Sequence, residues 1–298
     1  PTISAALIFF VSAFYLAPQD FGLVGLASST VMTVIAFSPL AFGEAIVQRK
    51  TLTKGHADSV FWLTGVFGLV CYLPFALGGA FIGGLLREPA IAALFPILAL
   101  RIPLDMLAAV PNAMIIRSMK FKLIALRTAV ATIGSVTICL VMLVNGFGYW
   151  ALVASQVTAS FIACAMAFWV CGWRPGVLVR WSAIRDLAGY GVFASGTRML
   201  STMKIDHLVL GILGGTTLLG LFILAQRLYK MLNQLVGGAL SSVTLALLSS
   251  LQGDRKKVLD AFGIASFVAG AVSMPMFCLL FIVAPGLLSL LPDAQWAD

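Results

Sequence analysis

The 298-residue chain is 61% hydrophobic, only 10% charged, and has a mean hydropathy of +1.05. A soluble domain carries about 25% charged residues, so the composition excludes an ordinary soluble enzyme or nucleic-acid-binding domain and reads as an all-α, polytopic membrane protein. The formal net charge of +8 is then a matter of where each charge sits relative to a bilayer.

In chain order, the first apolar run covers 2–17 and ends at Pro18-Gln19-Asp20. The next runs are 21–48, 58–86 with Pro74, and 90–116 with Pro96, Pro103 and Pro111. The fifth, 121–144, stops at Asn145-Gly146, and the sixth is 149–171. A more polar, basic stretch, Trp173 to Asp186, follows, and then come runs at 187–213, 217–251 and 258–291. That makes nine spans, each near or above the roughly 20 residues a membrane-crossing helix needs. Gly214-Gly215 reads as the turn between the seventh and eighth.

The five cysteines show no CxxC spacing and there are only two histidines, which supports neither a metal site nor a disulfide framework. No phosphate-binding G-x-x-x-x-G-K-[ST] loop is present, and no Ser-His-Asp or Cys-His set falls at one depth, so no catalytic residue and no cofactor is expected. His56 falls in a loop, and His207 reads as a packing or hydrogen-bonding histidine more than as a proton relay.

One set of alternate loops carries Arg49, Lys50 and Lys54, then Arg117, Lys120 and Lys122, then Arg174, Arg180 and Arg185, then Arg255, Lys256 and Lys257. The opposite set carries only Arg87. This bias places the N-terminus and the basic loops in the cytoplasm and the Gly214-Gly215 turn outside.

A weak internal repeat relates Phe21-Gly22-Leu23 to Leu219-Gly220-Leu221 at an offset of 198, and Leu73-Pro74-Phe75 to Met274-Pro275-Met276 at an offset of 201. Six spans separate the copies, so they point the same way, as in transporters built from two parallel lobes around a central cavity. The expected division is an N-terminal six-helix lobe at 1–172, a basic cytoplasmic linker at 173–186, and the three-helix start of a C-terminal lobe at 187–298. With three spans against six, the second lobe is expected to be incomplete and the chain inactive in transport alone, and the start at Pro1 inside an apolar run reads as a piece of a longer protein.

Six basic residues remain inside spans: Arg101, Arg127, Arg198, Lys204, Arg227 and Lys230. Ionisable groups at that depth are functional candidates by default. Arg101 and Asp105, four apart, share one helix face, with Pro103 expected to bend that helix. Arg127, six residues into its span, can snorkel to the cytoplasmic surface. Arg198 is too deep for that. Asp206 and Arg227 lie roughly 12 and 17 Å from the Gly-Gly turn, taking about 1.5 Å per residue, near the middle of a hydrocarbon core about 30 Å thick. Arg227 and Lys230 share a face, with Gln226, Tyr229 and Asn233 adding donors, and Asp206 is the expected counter-charge for one cation of this set. Glu44 reads as lying at the membrane edge. Two readings remain open: a closed structural ion network, or a hydrated cavity that awaits an anion. The excess of these cations over Asp105 and Asp206 favours the cavity, because unpaired buried charge is expensive. Its expected lining is Arg101, Asp105, Arg198, Lys204, Asp206, Arg227 and Lys230.

A set of short motifs recurs in order. Leu16-Ala17-Pro18-Gln19-Asp20-Phe21-Gly22-Leu23-Val24 follows the first span, and Ala45-Ile46-Val47-Gln48-Arg49-Lys50 with Leu52-Thr53 follows the second. Phe61-Trp62-Leu63, Met119-Lys120-Phe121, Gly146-Phe147-Gly148-Tyr149-Trp150-Ala151-Leu152-Val153, Trp173-Arg174-Pro175 and Gly220-Leu221-Phe222 with Ala225-Gln226-Arg227-Leu228 come after. On these the chain resembles the polysaccharide-exporter, lipid-linked oligosaccharide flippase (Wzx-like) family of the multidrug/oligosaccharidyl-lipid/polysaccharide superfamily. It departs in having Pro39-Leu40-Ala41 where relatives often read Asp-Leu-Gly. The resemblance implies two helical bundles around a cavity, an undecaprenyl-pyrophosphate-linked saccharide as substrate, and the bacterial cytoplasmic (inner) membrane as location. It implies membrane lipids, a polysaccharide polymerase and glycosyltransferases as partners, and no nucleic acid. Lys204, Asp206 and Arg227 fall where the family commonly has basic, acidic and Arg residues. The rival readings are a multidrug/cation exporter of the same superfamily, for which the charge excess has the wrong sign, and a membrane-embedded polymerase or glycosyltransferase.

Overall fold

The computed structural model describes residues 8, 11–49, 51–86, 88–177, 179–250 and 255–288. Among them the regular elements are all helical: α1 (Pro18–Ala36), α2 (Ala41–Gln48), α3 (Lys54–Leu85), a 3-10 turn (Pro89–Ala93), α4 (Phe95–Leu98), α5 (Arg101–Arg117), α6 (Phe121–Val144), α7 (Trp150–Cys171), α8 (Trp181–Thr202), α9 (Ile205–Ser250) and α10 (Arg255–Leu288). Seven stretches among the described residues are long and apolar enough to cross a membrane. One of them, Gly191–Gln234, is 44 residues long and contains the end of the seventh predicted span and most of the eighth. The helix is interrupted there at Gly215, whose φ of 80° and ψ of 170° suit only glycine. The first predicted span lies largely outside the described residues.

Three predicted spans are not continuous helices, and in two of them proline is the reason. The 21–48 run breaks between Ala36 and Ala41, where Pro39 has no N–H to continue the ladder and biases Ser38 away from helix. The Ser38 hydroxyl donates instead to the Ile35 carbonyl at 2.5 Å. The 90–116 run becomes three pieces. Pro89, Pro96 and Pro103 each fall in the first turn of one piece, where the missing N–H would have no helical partner. Pro103 therefore helps to start α5 rather than bending a longer helix, which corrects the expectation from sequence. The 187–213 run breaks at Met203-Lys204, with Met203 extended at φ −57° and ψ 132°. α8 also begins as early as Trp181, so the second part of the 173–186 stretch is helical.

The chain divides into two compact units, one running to Gly220 and one from Leu221. In the first, α5 is the central helix, packed against α3, α7 and α2, while α6 pairs with α7 and α8 lies along α2. A buried apolar cluster of Phe42, Ile46, Val60, Phe61, Val110 and Leu187 joins α2, α3, α5 and α8. The connection from α7 to α8 is fastened to α3: Trp62 Nε1 donates to the Gly176 carbonyl at 2.9 Å, and the Arg180 N–H donates to Ser59 Oγ at 2.8 Å. The start of α9 lies on α1, where backbone meets backbone. A Cβ added at Gly22 would run into the Thr216 carbonyl, and one at Gly220 into the Pro18 carbonyl. Such close approach through small residues is how membrane helices gain packing without a hydrophobic driving force. In the second unit, Tyr229 of α9 stacks on Phe277 of α10 with ring centroids 5.6 Å apart.

Adjacent glycines of α3 separate packing from propensity. A Cβ on Gly79 would lie 2.8 Å from the Ala92 carbonyl, whereas one on Gly78 meets nothing within 4 Å. Gly79→Ala is expected to cost about 1–3 kcal/mol through overpacking, and Gly78→Ala to gain up to about 1 kcal/mol of helix propensity. Thermal unfolding midpoints of the two purified variants check this, and shifts of the same sign would refute the packing assignment.

Candidate functional site

The site is built on one stripe of α5. Arg101, Asp105, Ala108, Ala109, Asn112 and Ile116 recur at three- and four-residue steps, so their side chains share a face. That face borders a cavity of about 450 Å³. Ala113 of α5, Met32 and Ile35 of α1, Gly43, Glu44 and Val47 of α2, Ile124 and Arg127 of α6, Ala163 of α7, and Arg198 and Thr202 of α8 complete the lining, with Leu40 between α1 and α2. Apolar groups form most of the wall, and three guanidiniums face two carboxylates within it.

Each guanidinium is held differently. Arg101 donates from Nη1 to Gln156 Oε1 at 2.6 Å and from Nε to Ser160 Oγ at 3.4 Å. Gln156 is itself steadied by Ser28 of α1, with its Nε2 3.1 Å from the Ser28 hydroxyl. Asp105 lies on the same stripe of α5, within electrostatic reach of Arg101 and Arg127. Arg127 donates to the Asn112 side-chain oxygen. Arg198 meets Glu44, Nη1 to Oε1, at 3.0 Å. Uncharged acceptors thus satisfy N–H groups of Arg101 and Arg127 without cancelling their charge, while Arg198 has a carboxylate partner.

Of the residues singled out from sequence, the structure brings Arg101, Asp105 and Arg198 to this cavity. Lys204 lies in the gap between α8 and α9, and Asp206 in the first turn of α9; neither is among the lining residues. Asp206 Oδ2 is 3.9 Å from Nε2 of the buried His207, whose Nδ1 hydrogen-bonds Ser29 of α1 at 3.0 Å. Arg227 and Lys230 belong to the second unit, where Lys230 Nζ donates to Gln226 Oε1 at 2.7 Å. Arg127 donates to Asn112, and Arg127 and Glu44 both belong to the cavity wall. The uncharged Asn112 and Gln156 are part of the site and were missed. Their signal in the sequence was a lone amide inside an apolar span, with no charge to attract notice. Among the described residues no group of three or more His, Cys, Asp or Glu side chains is placed to hold a metal ion.

A comparison with protein families matches residues 13–298 to the one described as polysaccharide biosynthesis protein. The chain belongs to that family. Among curated relatives, the succinoglycan biosynthesis transport protein ExoT of Rhizobium meliloti is 23% identical over 95% of this chain and 58% of its own length. The lipopolysaccharide biosynthesis protein WzxC of Escherichia coli is 19% identical over 93% of this chain and 57% of its own. The teichuronic acid biosynthesis protein TuaB of Bacillus subtilis is 19% identical over 86% and 54%. The chain therefore spans a little over half the length of the curated relatives it matches. A solved inward-facing multidrug resistance MATE family transporter of the MOP superfamily superposes with a TM-score of 0.70 over 96% of this chain and 71% of that one, at 16% identity. The family member is thus an all-α, multi-pass membrane protein with the fold of that transporter.

The Arg101 arrangement generates a stability prediction. Gln156→Leu removes the shortest acceptor of a guanidinium inside the helix bundle and is expected to cost about 1–3 kcal/mol. Adding Arg101→Met should return part of that loss, since the apolar side chain needs no acceptor. A double-mutant cycle on thermal unfolding measures the coupling, and strictly additive losses would refute it.

Proposed function

We propose that the protein moves a lipid-linked saccharide precursor across the bacterial cytoplasmic membrane, with the cavity of the first unit receiving the pyrophosphate and any acidic sugar. The observation that carries this reading is the charge of the wall: three guanidiniums over two carboxylates, set among membrane-crossing helices. Guanidinium forks match phosphate oxygens in geometry as well as sign. Support also comes from the relatives, named for polysaccharide biosynthesis or its transport. A cationic-drug exporter would need carboxylates in excess, and the lining has the opposite balance. The superfamily fold supports movement by rocking of helical bundles, with the substrate's lipid tail left in the bilayer.

The test uses the full-length protein in cells. Arg127→Gln together with Arg198→Gln is expected to insert at near-normal abundance, because removing cations does not penalise insertion. Lipid-linked saccharide should then accumulate in the inner leaflet, with flux down about a hundredfold or more, as two charge-assisted contacts of about 1.5–3 kcal/mol each would give. Arg198→Lys should recover part of it, as a point charge lacks the planar fork. Undiminished transport by the double variant at normal abundance would rule out the mechanism.

The proposal includes an orientation in which the basic loops face the cytoplasm. Single cysteines placed beside Lys54 or Lys120 are expected to resist an impermeant thiol reagent added outside, and one placed at Gly146 to react. The reverse pattern would overturn the orientation.

A further inference from the structure

We propose that Glu44 is a built-in competitor for the anion, occupying Arg198 until a doubly charged pyrophosphate takes its place. This rests on the cationic-cavity reading above and assigns an acid in the wall to binding and release.

Arg198 and Glu44 meet through a single contact of 3.0 Å, with 43% and 51% of their side chains exposed. An ion pair that open contributes about 0–1 kcal/mol, so a ligand anion can displace it. The other acid of the wall is placed differently. Asp105 is less exposed than Glu44 and lies on the inner stripe of α5, in the electrostatic field of both Arg101 and Arg127. Glu44 is therefore the carboxylate free to leave. With it withdrawn, three guanidiniums face one carboxylate, an excess that matches the two negative charges of a pyrophosphate diester.

Two consequences follow from this exchange. While Glu44 holds Arg198, only part of the population is ready to bind, and apparent affinity falls by that fraction. When the anion departs, Glu44 restores the neutral partner and opposes rebinding. The exchange also has a mechanical side. Among the described residues, Glu44–Arg198 is one of two ion pairs between the α2 region and α8. The other, Arg49–Asp186 at 3.1 Å, lies outside the cavity wall. Binding thus loosens α2 from α8 on the cavity side while the Arg49 end stays tied.

The test measures binding of inorganic pyrophosphate and of farnesyl pyrophosphate to the full-length protein in nanodiscs. It compares wild type, Glu44→Gln, Arg198→Gln and the double variant. Glu44→Gln is expected to insert at wild-type abundance and to bind about two- to six-fold more tightly. Arg198→Gln and the double variant should bind equally weakly, because the competitor acts only through Arg198. A gain for both probes assigns the exchange to the pyrophosphate group itself, and a gain for the farnesyl form alone assigns it to the lipid-linked group. Unchanged or weaker binding by Glu44→Gln, a gain that survives loss of Arg198, or a fall in abundance marking a structural pair would each overturn the inference. Failure of the wild type and every variant to bind either probe would instead overturn the cavity reading beneath it.

Discussion

A guanidinium within a helix bundle that crosses a membrane must find its solvation in the protein, and the first unit is arranged around that need at Arg101. The residue stands at the first turn of α5, the helix that α2, α3 and α7 all touch. Its acceptors come from α7, and the Gln156 amide is in turn steadied from α1 by Ser28. Three helices are thereby held to one charge. Neutral acceptors suit this task because they meet hydrogen-bonding demand and leave the positive field intact. The electrostatics of the wall and the packing of the bundle have the same origin.

The proline series shows how the chain places that charge. Pro89, Pro96 and Pro103 are seven apart and each sits in a first turn, so the approach to α5 is a chain of short helices rather than one long one. The last of these starts sets Arg101 at a helix N-terminus, beside backbone N–H groups rather than carbonyls. That end of the macrodipole is unfavourable for a cation by up to about 1 kcal/mol. Asp105, one turn on, compensates.

Much of this was legible in the sequence. The runs 121–144 and 149–171 coincide with α6 and α7 almost to the residue, because uninterrupted apolar stretches bounded by Asn-Gly or Gly permit one solution. Gly215 was legible as a break because a positive φ requires glycine. The break at Met203-Lys204 was not, since neither residue is a helix breaker. Arg101, Asp105 and Arg198 stood out as charges in apolar surroundings. That Arg127 and Glu44 join the same wall was not legible, because it depends on how α2 and α6 are placed around α5. Asn112 and Gln156 carry no charge, and only coordinates connect them to the arginines they serve.

One loop cation has a second occupation. Arg117 directs Nη1 at the carbonyls of Ile46, Val47 and Arg49, at 2.9, 3.2 and 2.5 Å, where the last turn of α2 leaves acceptors without helical donors. The guanidinium is thereby a clasp on the end of a short helix, its charge shared among carbonyl dipoles that α2 itself leaves unmatched. A Lys would bring as many donors on one nitrogen, but on a flexible stem that must be immobilised to hold them, whereas the planar guanidinium is already set. The end of α2 is in this way closed from α5, by a cation and not by a residue of its own.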